Sequence, residues 1–438
     1  MAALFPFRAL RPSPDSAHLV AAVPYDVVST DEARALAAGN PLSFLHVSRA
    51  EIDLPATTDP HSHAVYAAAA SRFQVLKRDA PLVHEEVATL YVYRLRSGAH
   101  EQFGIAGCYA LDEYNSDVIK KHERTRKDKE DDRTQHMLAL RAQTGPVLLT
   151  YRASAEVDTR VSNAVVMPPL FDFEAEDGVR HTIWRLSPNE TRAVVAAFGH
   201  VRALYIADGH HRAASAARTR QKLLEAEQAA FAERATASLD EAERSLVDVA
   251  GPIATALLAP GILPCDVFLA VAFPDDQVHI LPYNRIVRDL NGLTQDEFLD
   301  AVKARFDVSP GTSFPSRKGE IAMYLAGRWY VLGARPDSNR RADAIASLDV
   351  SVLQNRLLDP VLGIHDVRTD PRIDFVDGAR GTGALEHAVN ERKVAVAFSM
   401  FPVAVSDLIA IADAGLIMPP KSTWFDPKLR DGLLMHEV

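Results

Sequence analysis

Cysteine is nearly absent. The 438 residues hold two, Cys108 and Cys265, far apart and outside any Cys-x-x-Cys pattern. A disulfide framework is thereby excluded, and the usage suits a reducing cytosol. Long apolar runs are missing as well. The two longest, Val249–Pro264 and Val394–Val405, fall short of the roughly 20 residues that a membrane span needs, and Gly or Pro interrupts them. The opening stretch Met1–Pro12 has no apolar segment led by Lys or Arg, so no secretory signal is expected. These absences together predict a soluble, cytoplasmic protein with no membrane partner. Basic excess is also lacking: 48 Lys and Arg stand against 58 Asp and Glu, a formal net charge of −10. Binding to a phosphate backbone draws on a cationic surface, so nucleic acid is not an expected partner.

What is present is an ordinary globular composition, 47% hydrophobic and 24% charged, on a chain long enough for roughly two or three domains. Composition and pattern predict three segments, 1–112, 113–250 and 251–438. In the first, Ser29 and Thr30 before Asp31-Glu32 predict a capped helix. A loop is expected over Asp53–His63, a helix over Ala64–Lys77, and a hairpin from Thr89–Leu95 and Gln102–Leu111. His61 and His63 read as surface residues of that loop. In the second segment a helix over Arg133–Gln143 leads to a strand over Pro146–Tyr151. Strands are expected at His181–Leu186 and Ala203–Ala207, a helix at Asn189–Phe198, and an exposed helical pair over Gln221–Leu246. In the third, Asp266–Phe273 and Val278–Val287 read as paired strands. Thr294–Phe306 reads as a helix, Ile321–Ala326 and Arg328–Leu332 as a hairpin, Val394–Phe398 as a strand and Ser406–Ala414 as a helix. Strands and helices interleaved in this way predict a mixed α/β (α+β) fold.

The sharpest local signal is Leu204-Tyr-Ile-Ala-Asp-Gly-His-His-Arg212. A buried strand ends, Gly209 permits an unusual backbone angle, and a helix begins at once. Free N–H groups and the helix dipole at such a junction favour an anion. Arg212 adds a forked donor, and His210 and His211 can donate or relay protons. Asp208 suits a hydroxyl, a cation such as a metal ion, or a neighbouring side chain. The plainer alternative is an Asp-Gly turn with two surface histidines. A second cluster runs Ile119-Lys120-Lys121-His122-Glu123-Arg124-Thr125 and continues through Lys127, Lys129, Asp131, Asp132 and Arg133. A carboxylate in a positive field stays ionised and can accept a hydroxyl proton. A solvated charged face is the alternative. Tyr25 and Asp26 after Pro24 could face a substrate cleft or form a structural turn. Lys421, Ser422 and Thr423, beside Trp424 and Phe425, could grip phosphate or dock a chain end.

Familiar motifs are absent. Four residues after His122 stands Arg126, which breaks a His-Glu-x-x-His zinc pattern, and no P-loop or Gly-x-Ser-x-Gly occurs. Gly378–Gly383 has the wrong glycine spacing for a dinucleotide fingerprint.

Four segments together resemble a widespread bacterial and archaeal family named as a domain of unknown function. They are Pro24–Ser29, His122-Glu-Arg-Thr125 with Asp132-Arg133, Ile206–Arg212, and Met418-Pro-Pro-Lys-Ser-Thr-Trp-Phe425. Leu281-Pro-Tyr-Asn-Arg-Ile-Val287 fits as well, so the resemblance spans nearly the whole chain. The middle segment is similar to the ParB/sulfiredoxin-like superfamily, and in particular to its free serine kinases. That resemblance implies a ParB/sulfiredoxin-like core over 113–250, with additional α/β segments on either side. It also implies Glu123 as the base for a hydroxyl, beside His122, with Asp208, Gly209, His210, His211 and Arg212 at nucleotide phosphates. Here Arg124–Ala207 separates the two motifs, a longer interval than in the compact kinase domain.

The expectation is a kinase that uses ATP or ADP with Mg²⁺ to phosphorylate a small-molecule hydroxyl, free serine among the candidates. Glu123, His122 and Arg212 are the expected catalytic residues. Asp208, Gly209, His210, His211, Arg212, Arg133, Lys421, Ser422 and Thr423 would serve the phosphates, Tyr25 and Asp26 the acceptor, and Asp208 the metal. Two alternatives stay open: a non-catalytic ParB-like nucleotide-binding module, and a hydrolase of nucleotide or phosphate ester. Homo-oligomerisation is also left open.

Overall fold

The computed structural model describes residues 2–79, 82–240, 261–335 and 343–438. The chain gathers into two compact units. One comprises Met1–Lys120, Arg124–Gln277 and Pro427–Val438, the other Lys121–Glu123 and Val278–Asp426.

A nine-stranded mixed sheet organises the first unit. Its strands are β1 (Leu4–Phe5), β2 (Tyr91–Ser97), β3 (His100–Ala110), β4 (Ile119–Lys120), β5 (Val147–Tyr151), β6 (Phe171–Glu174), β7 (Arg180–Arg185), β8 (Leu204–Asp208) and β9 (Val267–Pro274). Their order is β4-β8-β5-β9-β3-β2-β7-β6, with β1 added along β3. The central strand β9 is buried at every residue, runs parallel to β5 and antiparallel to β3. Such a continuous apolar run suits a strand covered on both faces.

Period-two alternation assigns the faces. Val147, Leu149 and Tyr151 of β5, Leu204 and Ile206 of β8, and Phe268, Ala270 and Ala272 of β9 belong to one apolar cluster. That cluster also takes in α4 (Ala155–Ala164), α5 (Pro188–Phe198) and the start of α6 (His210–Asp240). Phe198 closes it, with its ring 5.1 Å from Tyr151 and 6.0 Å from Tyr109. Fully burying a side chain of this size stabilises the fold by roughly 1.5–3 kcal/mol.

A second cluster lies under the amino-terminal helices α1 (Thr30–Ala37) and α2 (His63–Asp79), and it includes Leu140 from α3 (Lys127–Leu140). Helix α2 supplies Val65, Ala69, Phe73 and Leu76, the spacing of one helical stripe. Helices α3 and α6 pack together through polar contacts: Ser215 donates to the Glu130 carbonyl at 3.1 Å, and Arg218 pairs with Glu130 at the same distance.

The carboxyl-terminal segment 427–438 is stitched into the first unit. Ala22 and Asp431 exchange backbone hydrogen bonds, Gly432 donates to Thr144, and Leu10 and Met435 pair in both directions. His436–Glu437 forms a short ladder with Ala142–Gln143.

The second unit holds a six-stranded antiparallel sheet. Its strands are β10 (Tyr283–Val287), β11 (Phe306–Pro310), β12 (Glu320–Leu325), β13 (Arg328–Ala334), β14 (Ile373–Asp377) and β15 (Val396–Met400), in the order β11-β13-β12-β15-β10-β14. Helices α7 (Gln295–Lys303), α8 (Gly383–Asn390) and α9 (Val405–Asp413) accompany it. A short ribbon pairs His279–Leu281 with Trp424–Asp426.

The fold is mixed α/β, as expected. Both Ser29 and Thr294 cap their helices by reciprocal bonds with Glu32 and Glu297. One expected pairing is corrected: β9 does not pair with the segment after Val278. Strand β9 is taken up by β5 and β3, while residues 278–287 contribute to the short ribbon and to β10. Helix α3 begins at Lys127 and takes in much of the charged run that precedes the expected start. Over Gln221–Leu246, α6 continues unbroken to Asp240, and the remainder lies outside the described residues. Among the described residues no helix is long and apolar enough to cross a membrane.

Candidate functional site

The site is built on the exit of β8. Four consecutive buried residues, Leu204–Ala207, bring the chain to Asp208, and the pairing register with β5 shifts between Ile206 and Asp208. Gly209 then turns the backbone at φ +92°. A side chain here would be strained, and its Cβ would lie 2.8 Å from Arg212 Nε. Helix α6 starts at His210. The N–H groups of His210, His211 and Arg212 precede the first intrahelical donor, Ala213, which bonds back to the Gly209 carbonyl at 3.0 Å.

Arg212 is buried and lies across this turn. It donates through Nη1 to the Pro146 carbonyl, and through Nη2 to Asp208 Oδ2 at 3.1 Å. Burial works against its charge, but Asp208, then Asp26 and Asp431, hold the guanidinium above its ordinary pKa. The fork expected to reach phosphate is thus committed to shaping the turn. Asp208 Oδ2 also meets Lys428 Nζ at 3.4 Å. Burial alone would raise this carboxyl, yet Lys428, Arg212 and His210 hold it far below the usual range. Two cations at one carboxylate do not fit direct Mg²⁺ ligation by Asp208, because a dication beside them is opposed electrostatically. The surroundings fit an anion better.

His211 is half-buried, and its Nε2 accepts the Arg126 N–H at 3.0 Å, which ties the start of α3 to α6. Burial holds this ring below the ordinary histidine range. His210 is buried beside it.

Tyr25 and Asp26 occupy a turn closed by the Val27 N–H on the Pro24 carbonyl. Asp26 is exposed, while the Tyr25 ring is buried with the Arg133 guanidinium 4.1 Å above it. Burial, and then Asp26, push the Tyr25 hydroxyl pKa upward. Arg133 meets one oxygen of its neighbour Asp132, Oδ2, through Nε at 2.8 Å and Nη2 at 2.7 Å. Asp132 in turn accepts from His61 at 3.0 Å and Tyr66 at 2.9 Å. Burial opposes ionisation of Asp132, but Arg133 and these donors keep it below the ordinary range. His61 is exposed, as expected, and contributes to this polar network from the surface.

The structure thus gathers Tyr25, Asp26, Arg133, Asp208, Gly209, His210, His211 and Arg212 in the first unit. His122, Glu123, Lys421, Ser422 and Thr423 belong to the second. There the His122 carbonyl accepts the Met418 N–H at 2.8 Å. Ser422 Oγ donates to the Pro419 carbonyl at 2.6 Å, so its hydroxyl braces its own loop.

Three residues absent from the expectation come from Pro427–Asp431: Lys428, Arg430 and Asp431. Their signal was a cluster of ionisable residues between apolar ones near the chain end. Arg430 is buried. It donates through Nε to His181 Nε2 at 3.1 Å and pairs with Asp177. His181 Nδ1 faces the Tyr93 hydroxyl at 2.9 Å, and burial, then Arg430, keep the ring neutral. Asp431 is 4% exposed and rests against Gly145, where any Cβ would collide with its carboxyl. Burial raises its pKa to about 7, with Arg212 opposing and Asp26 reinforcing; Arg133 and Arg430 also oppose.

A family model described as "Protein of unknown function (DUF1015)" matches residues 4–351. No curated protein matches the sequence. Three solved structures show weak similarity. A conserved hypothetical protein from Pyrococcus furiosus has a TM-score of 0.33 at 13% identity, with coverage of 75% of this chain and 94% of its own. A free serine kinase in complex with AMP has 0.34 at 11%, covering 76% and 91%. SbnI with a C-terminal truncation, from Staphylococcus aureus, has 0.36 at 11%, covering 74% and 85%. Similarity at this level does not bear on the chemistry of this chain.

The Asp431 environment has a measurable consequence. In the unfolded chain its carboxyl titrates near the ordinary value of about 4, whereas in the fold it keeps its proton to about pH 7. Its contribution is full below the unfolded value and is lost as pH rises through the folded one. In thermal denaturation, the melting temperature of the wild type minus that of Asp431→Asn is expected to fall between about pH 4 and 8. A difference that stays constant with pH contradicts this assignment.

Proposed function

We propose that this chain, which belongs to the DUF1015 family, is a nucleotide-dependent kinase acting on the hydroxyl of a small molecule. Free serine is the acceptor to which the motif resemblance points, and ATP or ADP is the donor. The observation that carries the reading is the junction of β8 and α6. Three first-turn N–H groups, the positive end of a long helix, and the Lys428 amine converge on one turn, with Arg212 fixing its shape. That combination suits the terminal phosphates of a nucleotide.

Phosphoryl transfer asks for positioning and charge neutralisation more than for covalent help. The N–H groups of His210, His211 and Arg212 would hold phosphate oxygens, and Lys428 with the buried Arg212 would offset their charge. Tyr25 and Asp26, on the turn electrostatically coupled to Arg212, would face the acceptor. By the resemblance of the His122-Glu123 segment, Glu123 takes the hydroxyl proton while the new P–O bond forms. The bridging P–O bond to the leaving nucleotide breaks, and the electron pair departs with that nucleotide. Mg²⁺ would accompany the nucleotide on its own oxygens, where it supplies further neutralisation.

One observation favours a second reading, a non-catalytic nucleotide-binding module. Both Nη groups of Arg212 are committed to Pro146 and Asp208, so its fork does not follow a moving charge. Phosphorus NMR of the protein with Mg²⁺, ATP or ADP and a pool of amino acids separates the readings. A new phosphomonoester signal is expected for the kinase. Unchanged nucleotide despite tight binding indicates the module, and phosphate release without an acceptor indicates a hydrolase.

Glu123→Gln is expected to abolish the phosphomonoester signal and to spare nucleotide binding; undiminished turnover in that variant removes Glu123 as the base. Gly209→Ala is expected to weaken ADP binding by about tenfold or more, on the order of 1.4 kcal/mol, in isothermal titration. Wild-type affinity in a folded Gly209→Ala chain counts against the turn as the phosphate cradle.

A further inference from the structure

The second unit contains a buried cation that the reading above does not use. Tyr283 and Arg285 stand two residues apart on β10, so their side chains share a face of the sheet. Arg285 is 4% exposed. Its Nη1 donates to the Tyr283 carbonyl and its Nη2 to the Lys421 carbonyl at 3.0 Å, and the Phe375 ring lies 5.5 Å from its guanidinium carbon. Both Nη groups thus bond to backbone carbonyls, and among the described residues no carboxylate lies within ion-pair distance. Across the ladder, Asp377 stands opposite Tyr283, but its carboxylate is engaged by the Arg380 N–H at 3.2 Å and Nε at 3.1 Å. Burial draws the Arg285 pKa down to about 9, with Tyr283 opposing. A guanidinium taken out of water without a counter-charge is costly, and such groups are ordinarily paired.

A second cation stands next to it. Lys421 adopts φ +56°, a left-handed conformation that a lysine reaches only at some expense. Its carbonyl is held by Arg285, and the Ser422 hydroxyl closes the same loop on the Pro419 carbonyl. The Lys421 amine is thereby placed 5.0 Å from the centre of the Tyr283 ring and 3.2 Å from the Tyr283 hydroxyl. Trp424 packs edge-on against that ring at 5.4 Å. Lys421 is exposed and, among the described residues, likewise has no carboxylate within ion-pair distance. Two adjacent cations, one buried and one braced in a strained loop, lack acidic partners in a protein whose net charge is −10.

We propose that Arg285, Lys421 and the Tyr283 hydroxyl form an oxyanion-binding site in the second unit, which takes the carboxylate or phosphate group of a small metabolite. The Arg285 guanidinium and the Lys421 ammonium are cationic donors of the kind that recognise such groups, and the Tyr283 hydroxyl, which accepts from Lys421 at 3.2 Å, holds the amine in place. The anion provides the counter-charge that the fold withholds.

The test is lysine footprinting of the full-length chain. Amines are acetylated to a low extent, and the labelling rate at Lys421 is read by mass spectrometry against exposed Lys303. Inorganic phosphate and acetate are added separately at millimolar concentration. At least one is expected to slow Lys421 labelling by about fivefold or more relative to Lys303, about 1 kcal/mol of protection. The anion that protects identifies the favoured group. Protection is expected to vanish in Arg285→Gln and to persist in Gly209→Ala, whose change lies in the first unit. Should Arg285→Gln fail to fold, Tyr283→Phe keeps the ring and the strand and is expected to reduce protection. Failure of both anions to protect Lys421 in the wild type overturns the site, as does protection left intact in the folded variants.

Discussion

Arg212 is the pivot of the first unit's chemistry. A buried guanidinium needs acceptors, and it finds them in the Pro146 carbonyl before β5 and in Asp208 at the end of β8. Engaging the two Nη groups of this one side chain therefore ties together the entry to one strand, the exit of its neighbour and the start of α6. The missing side chain at Gly209 lets the guanidinium lie against the turn. Asp208 completes the arrangement by sharing its oxygen with Lys428.

The carboxyl-terminal segment matters for the same reason. Lys428, Arg430 and Asp431 reach the site from the far end of the sequence, held by backbone pairing to Ala22, Thr144 and Leu10. Arg430 finds its partners in His181 and Asp177. Asp431 lies within electrostatic reach of Arg212 and Arg133. In a protein with an acidic overall balance, Lys428 and Arg212 share one carboxylate, Asp208, at this turn.

Much of this was legible where the physics is local. The run Leu204–Ala207 followed by Asp-Gly-His-His-Arg announces a strand, a turn and a helix start, and all three are present. Ser29 with Glu32 and Thr294 with Glu297 announce capping boxes, and both form. What was not legible depends on distant segments. Nothing near β9 signals that it runs parallel to β5, and its apolar residues fit a hairpin equally well. Arg212 looks the same in sequence whether its fork reaches outward to phosphate or inward to Pro146. His61 sits in a polar loop with no hint of Asp132, which lies 71 positions later. Lys428 and Asp431 become site residues only because the chain end folds back.

The most direct measurement is a crystal structure of the protein with ADP bound. The expected result places the terminal phosphate within hydrogen-bond distance of the N–H groups of His210, His211 and Arg212, with the Lys428 amine alongside. Phosphates bound elsewhere, with the turn at Gly209 unoccupied, would contradict the central claim.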